Sequence, residues 1–355
     1  MANKKFWKNK KVLITGHTGF KGGWLSVWIK MLGAKVSGYS INPISKKNFF
    51  SSVKLKKIFF RDYRKNIQNY NNFEECIKKT KPQIIFHLAA QPQVLESFKN
   101  PLDTVLTNII GTANLLEIIK KYKFIKSIVI VTTDKVYKNN EKKTKFSEND
   151  HLGGDDLYSS SKACADIITH SYFKSFLENS TCGIATARAG NCIGGGDWTK
   201  FRILTDASEA FLKNKNLYIR SPNSTRPWQH VLESLYGYII LAEKIFGNKQ
   251  KKYCTSWNFG PSRKKNLKVI SFAKIFKSKM KSKSKLILRK KIDKREKKNL
   301  DLDSRKANKE LLWKSFLSIN DTLKLTAEWY LAEFKKQDMY KFTRLQIKEF
   351  LKLKK

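Results

Sequence analysis

Tyr158 and Lys162 stand four residues apart in the run YSSSK, a spacing that puts both side chains on one face of a helix. An ammonium beside a phenol stabilises the tyrosinate and lowers a pKa that otherwise lies near ~10. A tyrosine so placed can remove a proton from an alcohol near neutral pH. Thr133 lies 25 residues earlier, directly after the apolar run SIVIVT at 127–132. A hydroxyl at the end of such a strand can orient the substrate alcohol. The pair Y-x-x-x-K is common by chance; its distance from a strand-ending threonine gives it weight. The chemistry these residues suit is oxidation of a secondary alcohol.

Such a reaction needs a hydride acceptor, and Gly16-His17-Thr18-Gly19-Phe20-Lys21-Gly22 has the form of a dinucleotide-binding loop. It follows a strand at 11–15 and opens a helix at 19–32. Gly16 allows the tight turn, Gly19 lets the backbone approach a pyrophosphate, and Gly22 permits close packing of helix on strand. The helix N-terminus then offers free N–H groups to phosphates. The segment Tyr39-Ser40-Ile41-Asn42 supplies no acid for the adenosine ribose, so Ser40 or Asn42 takes that role. Lys46 and Lys47 lie close enough in sequence to favour a 2′-phosphate, and NAD over NADP does not follow from this loop. Asp62, read as the end of a third strand at 58–62, is placed for the adenine amino group.

Strands and helices alternate through the first half to position these groups. Strands are expected at 11–15, 35–39, 58–62, 84–88, 127–132 and 183–188. Helices are expected at 19–32, 73–80, 104–122 and 158–176, with Pro82 ending one of them. This alternation implies right-handed crossovers and a doubly wound parallel sheet, a Rossmann α/β fold. After 189 the pattern gives way to loops rich in Gly, Asp, Trp, Arg and Pro at 190–198 and 221–228, then helices at 231–246 and beyond 309. The expected organisation is a dinucleotide-binding domain over 1–189, joined by a returning segment near 230–258. A smaller, mixed substrate-binding domain takes 190–229 and 259–335, and 336–355 is a lysine-rich amphipathic extension.

Composition narrows the class. Of 355 residues 41% are hydrophobic and 12% aromatic, enough for a packed core and against a disordered chain. No apolar run approaches the roughly 18 residues a membrane helix needs, so no membrane partner is expected. The five cysteines form no C-x-x-C pair and the five histidines lack metal spacing. A reducing, cytoplasmic setting without a metal is expected. Seventy-two basic against 29 acidic residues give a net charge of +43. Polyanion binding on a dinucleotide fold is the competing reading of that charge. The lysines spread along the whole chain rather than over one recognition element, which favours compositional bias and no nucleic-acid partner.

Seven stretches together resemble one enzyme family: GHTGFKGGWL (16–25), HLAAQ (87–91), TNIIGT (107–112), TTDKVY (132–137), YSSSK (158–162), RAGNCIGGGDW (188–198) and RPWQHVL (226–232). They are similar to successive signatures of the CDP-glucose 4,6-dehydratases, a branch of the extended short-chain dehydrogenases/reductases, from about 6 to 330 in consistent order. The resemblance implies a redox-neutral dehydration with NAD, converting CDP-glucose to its 4-keto-6-deoxy product. Hydride leaves C4 as Tyr158 takes the hydroxyl proton, water is lost across C5 and C6, and hydride returns at C6. Elimination needs a further acid and base. The resemblance points to Asp134 as the acid for the C6 hydroxyl and Lys135 as the base for the C5 proton, the latter requiring a lowered pKa.

On the same grounds Gly16, Thr18, Gly19, Phe20, Gly22, Asp62, Leu88, Ala89, Ala90, Asn108, Tyr158 and Lys162 are expected to bind the cofactor. Gln91, Asn191, Asp197, Arg202, Arg226 and His230 are expected to bind the sugar nucleotide, the arginines through its pyrophosphate. Trp198 and Trp228 are read as core packing rather than base-stacking residues. The family also implies a homodimer joined through the helices at 104–122 and 158–176. Two departures affect the substrate. Val94-Leu95-Glu96-Ser97-Phe98 and the run 143–148, through Ser147, lack two arginines that the family carries, which leaves the identity of sugar and nucleotide open.

Overall fold

The computed structural model describes residues 2–139, 145–200, 202–248, 250–261, 267–288 and 301–354. Part of the lysine-rich stretch 262–298, and positions 143 and 144 of the departing run, lie outside them.

Seven parallel strands form the central sheet: β1 Lys11–Thr15, β2 Lys35–Ser40, β3 Arg61–Arg64, β4 Ile84–His87, β5 Ser127–Val131, β6 Gly183–Ala189 and β7 Ser256–Phe259. Their spatial order is β7-β6-β5-β4-β1-β2-β3. β4, β5 and β6 are buried along their whole length and β1 along all but its first residue. Near-continuous apolar runs are what a sheet covered on both faces requires. The chain reverses direction across the sheet between β1 and β4, so the ends of these strands open the crevice where doubly wound folds bind ligands.

The helices that position the site are α1 Phe20–Met31, α2 Tyr70–Thr80, α3 Pro101–Lys121, α4 Leu157–Tyr172, α5 Val231–Lys244, α6 Ile319–Phe334 and α7 Met339–Leu353. Pro101 at the start of α3 needs no N–H partner there. Asp156 caps α4, accepting the N–H of Ser159 at 2.9 Å, and so sets Tyr158 in the first turn. Two corrections to the sequence reading follow. The third strand begins at Arg61 rather than 58, because Leu55 and Ile58 bury themselves in a 3-10 turn that leads into it. α3, a continuous helix of 21 residues, is long and apolar enough by composition to cross a bilayer, although no such run was expected. Here it covers the sheet, with Leu115, Leu116, Ile118 and Ile119 in the core.

In the second half, α5 packs on the sheet and β7 pairs with β6, adding the seventh strand. Short two-stranded pairings organise the remaining loops, among them Thr225–Arg226 with Leu267–Lys268 and Gln229–His230 with Cys192–Ile193. α7 lies along α1. Met339, Ile347 and Phe350 are buried, and the Phe350 ring meets Trp28 edge-on at 5.6 Å, so this amphipathic helix packs on the protein itself.

Candidate active site

At the end of β1 the backbone turns through Gly16, whose φ of +71° suits glycine alone. A Cβ on Gly16 would sit 2.7 Å from the Ala89 nitrogen, and one on Gly22 would sit 2.2 Å from the Gly16 carbonyl oxygen. The loop, the start of α1 and the Leu88–Ala89 backbone therefore touch with no room for side chains. Thr15 fixes the second loop: its hydroxyl accepts the N–H groups of Leu88 and Ala89, both at 3.1 Å, and lies 2.9 Å from His87 Nδ1. Burial, and the charge of Lys162 nearby, push His87 down to about 3, so its imidazole is neutral. Thr18 reaches the Ser40 hydroxyl at 2.8 Å and the Ile41 carbonyl at 3.2 Å, joining the glycine loop to the end of β2. Asp62, the second residue of β3, lies 2.8 Å from His17 Nε2 and accepts from Arg64 Nη2 at 2.9 Å. Burial pushes its pKa up, but the hydrogen bonds from His17 and Arg64 outweigh this and hold it below the usual range.

The residues expected to handle protons gather where β5 meets α4. The phenol of Tyr158 lies by the Thr133 side chain, which acts to lower its pKa. Thr133 in turn donates to Asp134 Oδ1 at 2.9 Å and accepts the Lys135 N–H at 3.4 Å. Asp134 is 3% exposed, and burial raises its pKa despite the attraction of Lys135. A carboxyl whose pKa is raised by burial is shifted toward the protonated form a general acid needs. Gly190 makes space for it, since a Cβ there would lie 2.9 Å from Asp134 Oδ2. Lys162 donates to the Val131 carbonyl at 2.8 Å. Burial and the charge of Lys21 lower its pKa to about 8. Burial also raises the Tyr158 pKa, opposed by Thr133 and by the cations Lys21 and Arg202.

Lys21 is the residue that sequence reasoning passed over. It sits in the first turn of α1 and acts electrostatically on Tyr158, Asp134 and Lys162. Burial works against its charge, but the Cys192 thiol and the phenols of Tyr238 and Tyr158 outweigh it and raise its pKa. Its signal was a lone cation inside a loop of small residues. A second unread feature is the buried pair Asp166 and Arg188. Asp166 accepts from Arg188 Nε at 2.9 Å and Nη2 at 2.8 Å, and also from Thr132, Thr186 and Ser256. This network ties α4 to β5, β6 and β7 beneath the reacting groups.

The expected substrate residues divide. Arg202 pairs with Asp197 at 2.7 Å and acts on Tyr158, and Arg226 acts on Asp134, so both arginines reach the reactive corner. Asn191 holds the loop through its backbone carbonyl, which accepts the Gln229 N–H at 3.2 Å. Asp197 is buried, and its backbone carbonyl accepts from Thr205 and Tyr330. Gln91 and Asn108 spend their amides internally. Gln91 bonds Gln93 and Thr104, while Asn108, on a π turn of α3, bonds the Gln91 backbone and Ser161. His230 is fully buried against Trp24, and its Nδ1 accepts the Leu232 N–H at 3.3 Å as the cap of α5. Its Nε2 has no hydrogen-bond partner among the described residues. Gly195 has a packing task as well, since a Cβ there would lie 2.1 Å from the Trp329 ring. Trp198 packs edge-on to Tyr330 at 5.0 Å and Trp228 stacks on Phe272 at 4.3 Å, the core role expected of both.

Comparison with known proteins decides what this arrangement belongs to. Residues 13–326 match the family model described as GDP-mannose 4,6 dehydratase. The chain is 37% identical to a CDP-glucose 4,6-dehydratase of Salmonella typhimurium, over 99% of both chains. The chain belongs to the GDP-mannose 4,6 dehydratase family of extended short-chain dehydrogenases/reductases. It is a nucleotide-sugar 4,6-dehydratase. A dTDP-D-glucose 4,6-dehydratase of Dictyostelium discoideum is 31% identical over 70% of this chain and 59% of its own. The dTDP-glucose 4,6-dehydratase of Bacillus anthracis, solved in complex with NAD, shares the fold of this dehydratase. The TM-score is 0.77 at 22% identity, covering 93% of this chain and 99% of that one.

Proposed function

We propose that the chain dehydrates CDP-glucose to CDP-4-keto-6-deoxyglucose with NAD as its cofactor. The observation that carries the reading is Thr133 hydrogen-bonded to buried Asp134 and to the Lys135 N–H, with Tyr158 beside it, in a protein 37% identical along its whole length to a CDP-glucose 4,6-dehydratase. The glycine contacts at Gly16 and Gly22 fit a dinucleotide, because they hold the first turn of α1 open for a pyrophosphate. NAD when bound supplies the acceptor for the C4 hydride and its donor at C6. Tyr158 removes the C4 hydroxyl proton, with Thr133 orienting that hydroxyl and Lys162 and Lys21 supplying positive charge. The resulting ketone acidifies C5–H. Lys135 takes that proton, and Asp134, whose pKa burial raises, gives a proton to the departing C6 hydroxyl. Arg202 and Arg226 bind the pyrophosphate.

The reading extends to a homodimer. Phe98, Leu102 and Ile110 beside or on α3, and Ile167 and Phe176 on α4 and its continuation, expose apolar side chains on one flank of the protein. A cytoplasmic setting accords with five cysteines that are all free. The test is incubation of purified protein with NAD and a panel of CDP-, dTDP-, GDP- and UDP-hexoses, followed by mass spectrometry. The expected result is loss of water from CDP-glucose with no added reductant. Turnover of another nucleotide hexose alone would overturn the CDP-glucose assignment, and no turnover of any would overturn the activity.

A further inference from the structure

Lys21 is a cation of the reactive corner without a paired carboxylate among the described residues. It is the second residue of α1, inside the glycine loop, and the first turn of that helix holds no acid. Its direction follows from the face of α1 it shares. Trp24, three residues on, donates its indole N–H to the Gly195 carbonyl at 2.9 Å. Phe20 approaches Gly194 so closely that a Cβ there would lie 3.2 Å from its ring. This face of α1 is therefore applied to the 190–198 loop and the start of α5. The wall it meets is polar and uncharged. Cys192 Sγ lies 3.2 Å from the Ser234 hydroxyl. Tyr238, one turn further along α5, is fully buried, and its hydroxyl has no hydrogen-bond partner among the described residues. Besides the burial that opposes its charge, the groups that act on Lys21 are the Cys192 thiol and the phenols of Tyr238 and Tyr158, none of them a carboxylate.

The other charges of the corner are already engaged. Arg202 has Asp197 at 2.7 Å, and Lys162 donates to the Val131 carbonyl at 2.8 Å. Burial opposes the ionisation of Asp134, whose attraction is divided among Lys135, Lys21 and Arg226. A buried cation without a counter-ion of its own is costly, and proteins keep such groups where function uses the charge.

The chemistry at Tyr158 says which charge change this cation senses. In the first step C4 loses a hydride to the acceptor and its hydroxyl loses a proton to Tyr158, so the alcohol becomes a ketone and the acceptor is reduced. The acceptor must therefore meet C4 close to Tyr158, where Lys21 acts. A nicotinamide ring is cationic when oxidised and neutral when reduced. A fixed positive charge beside it opposes the oxidised form and leaves the reduced form alone. We propose that Lys21 sets the redox balance of the bound dinucleotide, holding it toward the reduced state so that the 4-keto intermediate persists while water is lost. The inference rests on the NAD reading of the glycine loop and adds to it. A cation that merely held the pyrophosphate would act on both forms alike.

The test is calorimetric titration of the whole protein, stripped of nucleotide, with NAD and with NADH. The parent protein is expected to bind NADH more tightly than NAD. Lys21→Met removes the charge and keeps much of the stem. It should shrink that preference by about tenfold, as removal of a unit charge several ångström away would. Lys21→Gln should match it. Lys21→Arg keeps the charge and should hold the preference within about twofold of the parent. 5′-ADP, which carries the diphosphate and no nicotinamide, should bind all four proteins alike. A Lys21→Met or Lys21→Gln variant that keeps the parent's preference overturns the proposal. So does one that weakens NAD, NADH and 5′-ADP alike, which would make Lys21 a phosphate ligand. A parent protein without a preference for NADH overturns it too. If the parent binds none of the three nucleotides, the dinucleotide reading itself is overturned, an outcome distinct from these.

Discussion

Tyr158 is asked to lose a proton in a place where burial opposes its charge, and the residues around it decide how far that opposition is met. Thr133, Lys21 and Arg202 all pull its pKa back down. Tyr158→Phe should therefore lower turnover by about 10²-fold or more while 5′-ADP still binds, since one oxygen is lost and the packing kept. Near-normal turnover would remove Tyr158 from the first step. In the proposed mechanism the pair after Thr133 acts later. Lys135→Met should allow oxidation at C4 yet prevent exchange of C5–H, so no solvent deuterium would enter C5 of recovered substrate. Asp134→Asn should permit that exchange and slow the loss of water. Exchange at the parent rate in Lys135→Met would leave Lys135 an electrostatic role only. Spacing made Tyr158, Lys162 and Thr133 legible, because one helical turn and one strand end carry them. Lys21 was not legible: its effect depends on Cys192 and Tyr238, which come from distant parts of the chain. The burial of His230 was not legible for the same reason, since it comes from the approach of Trp24 and the 190–198 loop.

Elements were legible where a hydrophobic run had one explanation. The buried runs of β1, β4 and β5 are too apolar for anything but a sheet covered on both faces. The third strand slipped by three residues, because Ile58 looks the same in a strand as in the buried turn it occupies. The links between helices were not legible, since a polar side chain does not announce its partner. Glu233 in the first turn of α5 is the clearest case. Its Oε1 accepts from the Ser315 hydroxyl at 2.9 Å and from the N–H groups of Phe316 and Leu317 at 2.7 and 2.9 Å, pinning the segment before α6. Burial raises its pKa from 4.5 to about 7, partly offset by those bonds. The folded protein thus holds this proton more tightly than the unfolded chain. The resulting stability is fully present below about pH 4.5 and is lost as pH rises through about 7, by on the order of 3 kcal/mol. Glu233→Gln keeps the accepting oxygen and removes the titration. At pH 8 the variant should melt at or above the parent temperature, and the parent's stability relative to the variant should fall between pH 5 and 7.5. A difference between parent and variant that stays constant over that range would show that Glu233 does not carry this proton, whereas the buried histidines, whose lowered pKa makes both curves rise with pH, cancel in the comparison.

On the scale of the whole molecule, apolar association and charge oppose each other. The flank formed by α3 and α4 leaves Leu102 68% exposed, Phe98 57%, Phe176 56%, Ile167 48% and Ile110 41%. Burying one such side chain against a second copy contributes about 1.5–3 kcal/mol, and five on each copy make a cohesive centre for an interface. Each copy also carries a net charge of +43, and two such bodies repel across water with a range set by the ionic strength. Dimerisation should therefore strengthen as sodium chloride rises from about 20 to 500 mM, because screening shortens the repulsion while apolar burial is kept. Light scattering on a sizing column reads the mass directly. Leu102→Asp adds a charge at an exposed position, so the monomer should fold and melt nearly as the parent does. At the interface it would place two carboxylates in apolar surroundings, and the dimer should weaken by about 10²-fold or more at every salt concentration. Ile167→Asp should act in the same way from the facing helix. A parent that stays monomeric at high salt would refute the dimer, and a dimer indifferent to both substitutions would place its interface on another face.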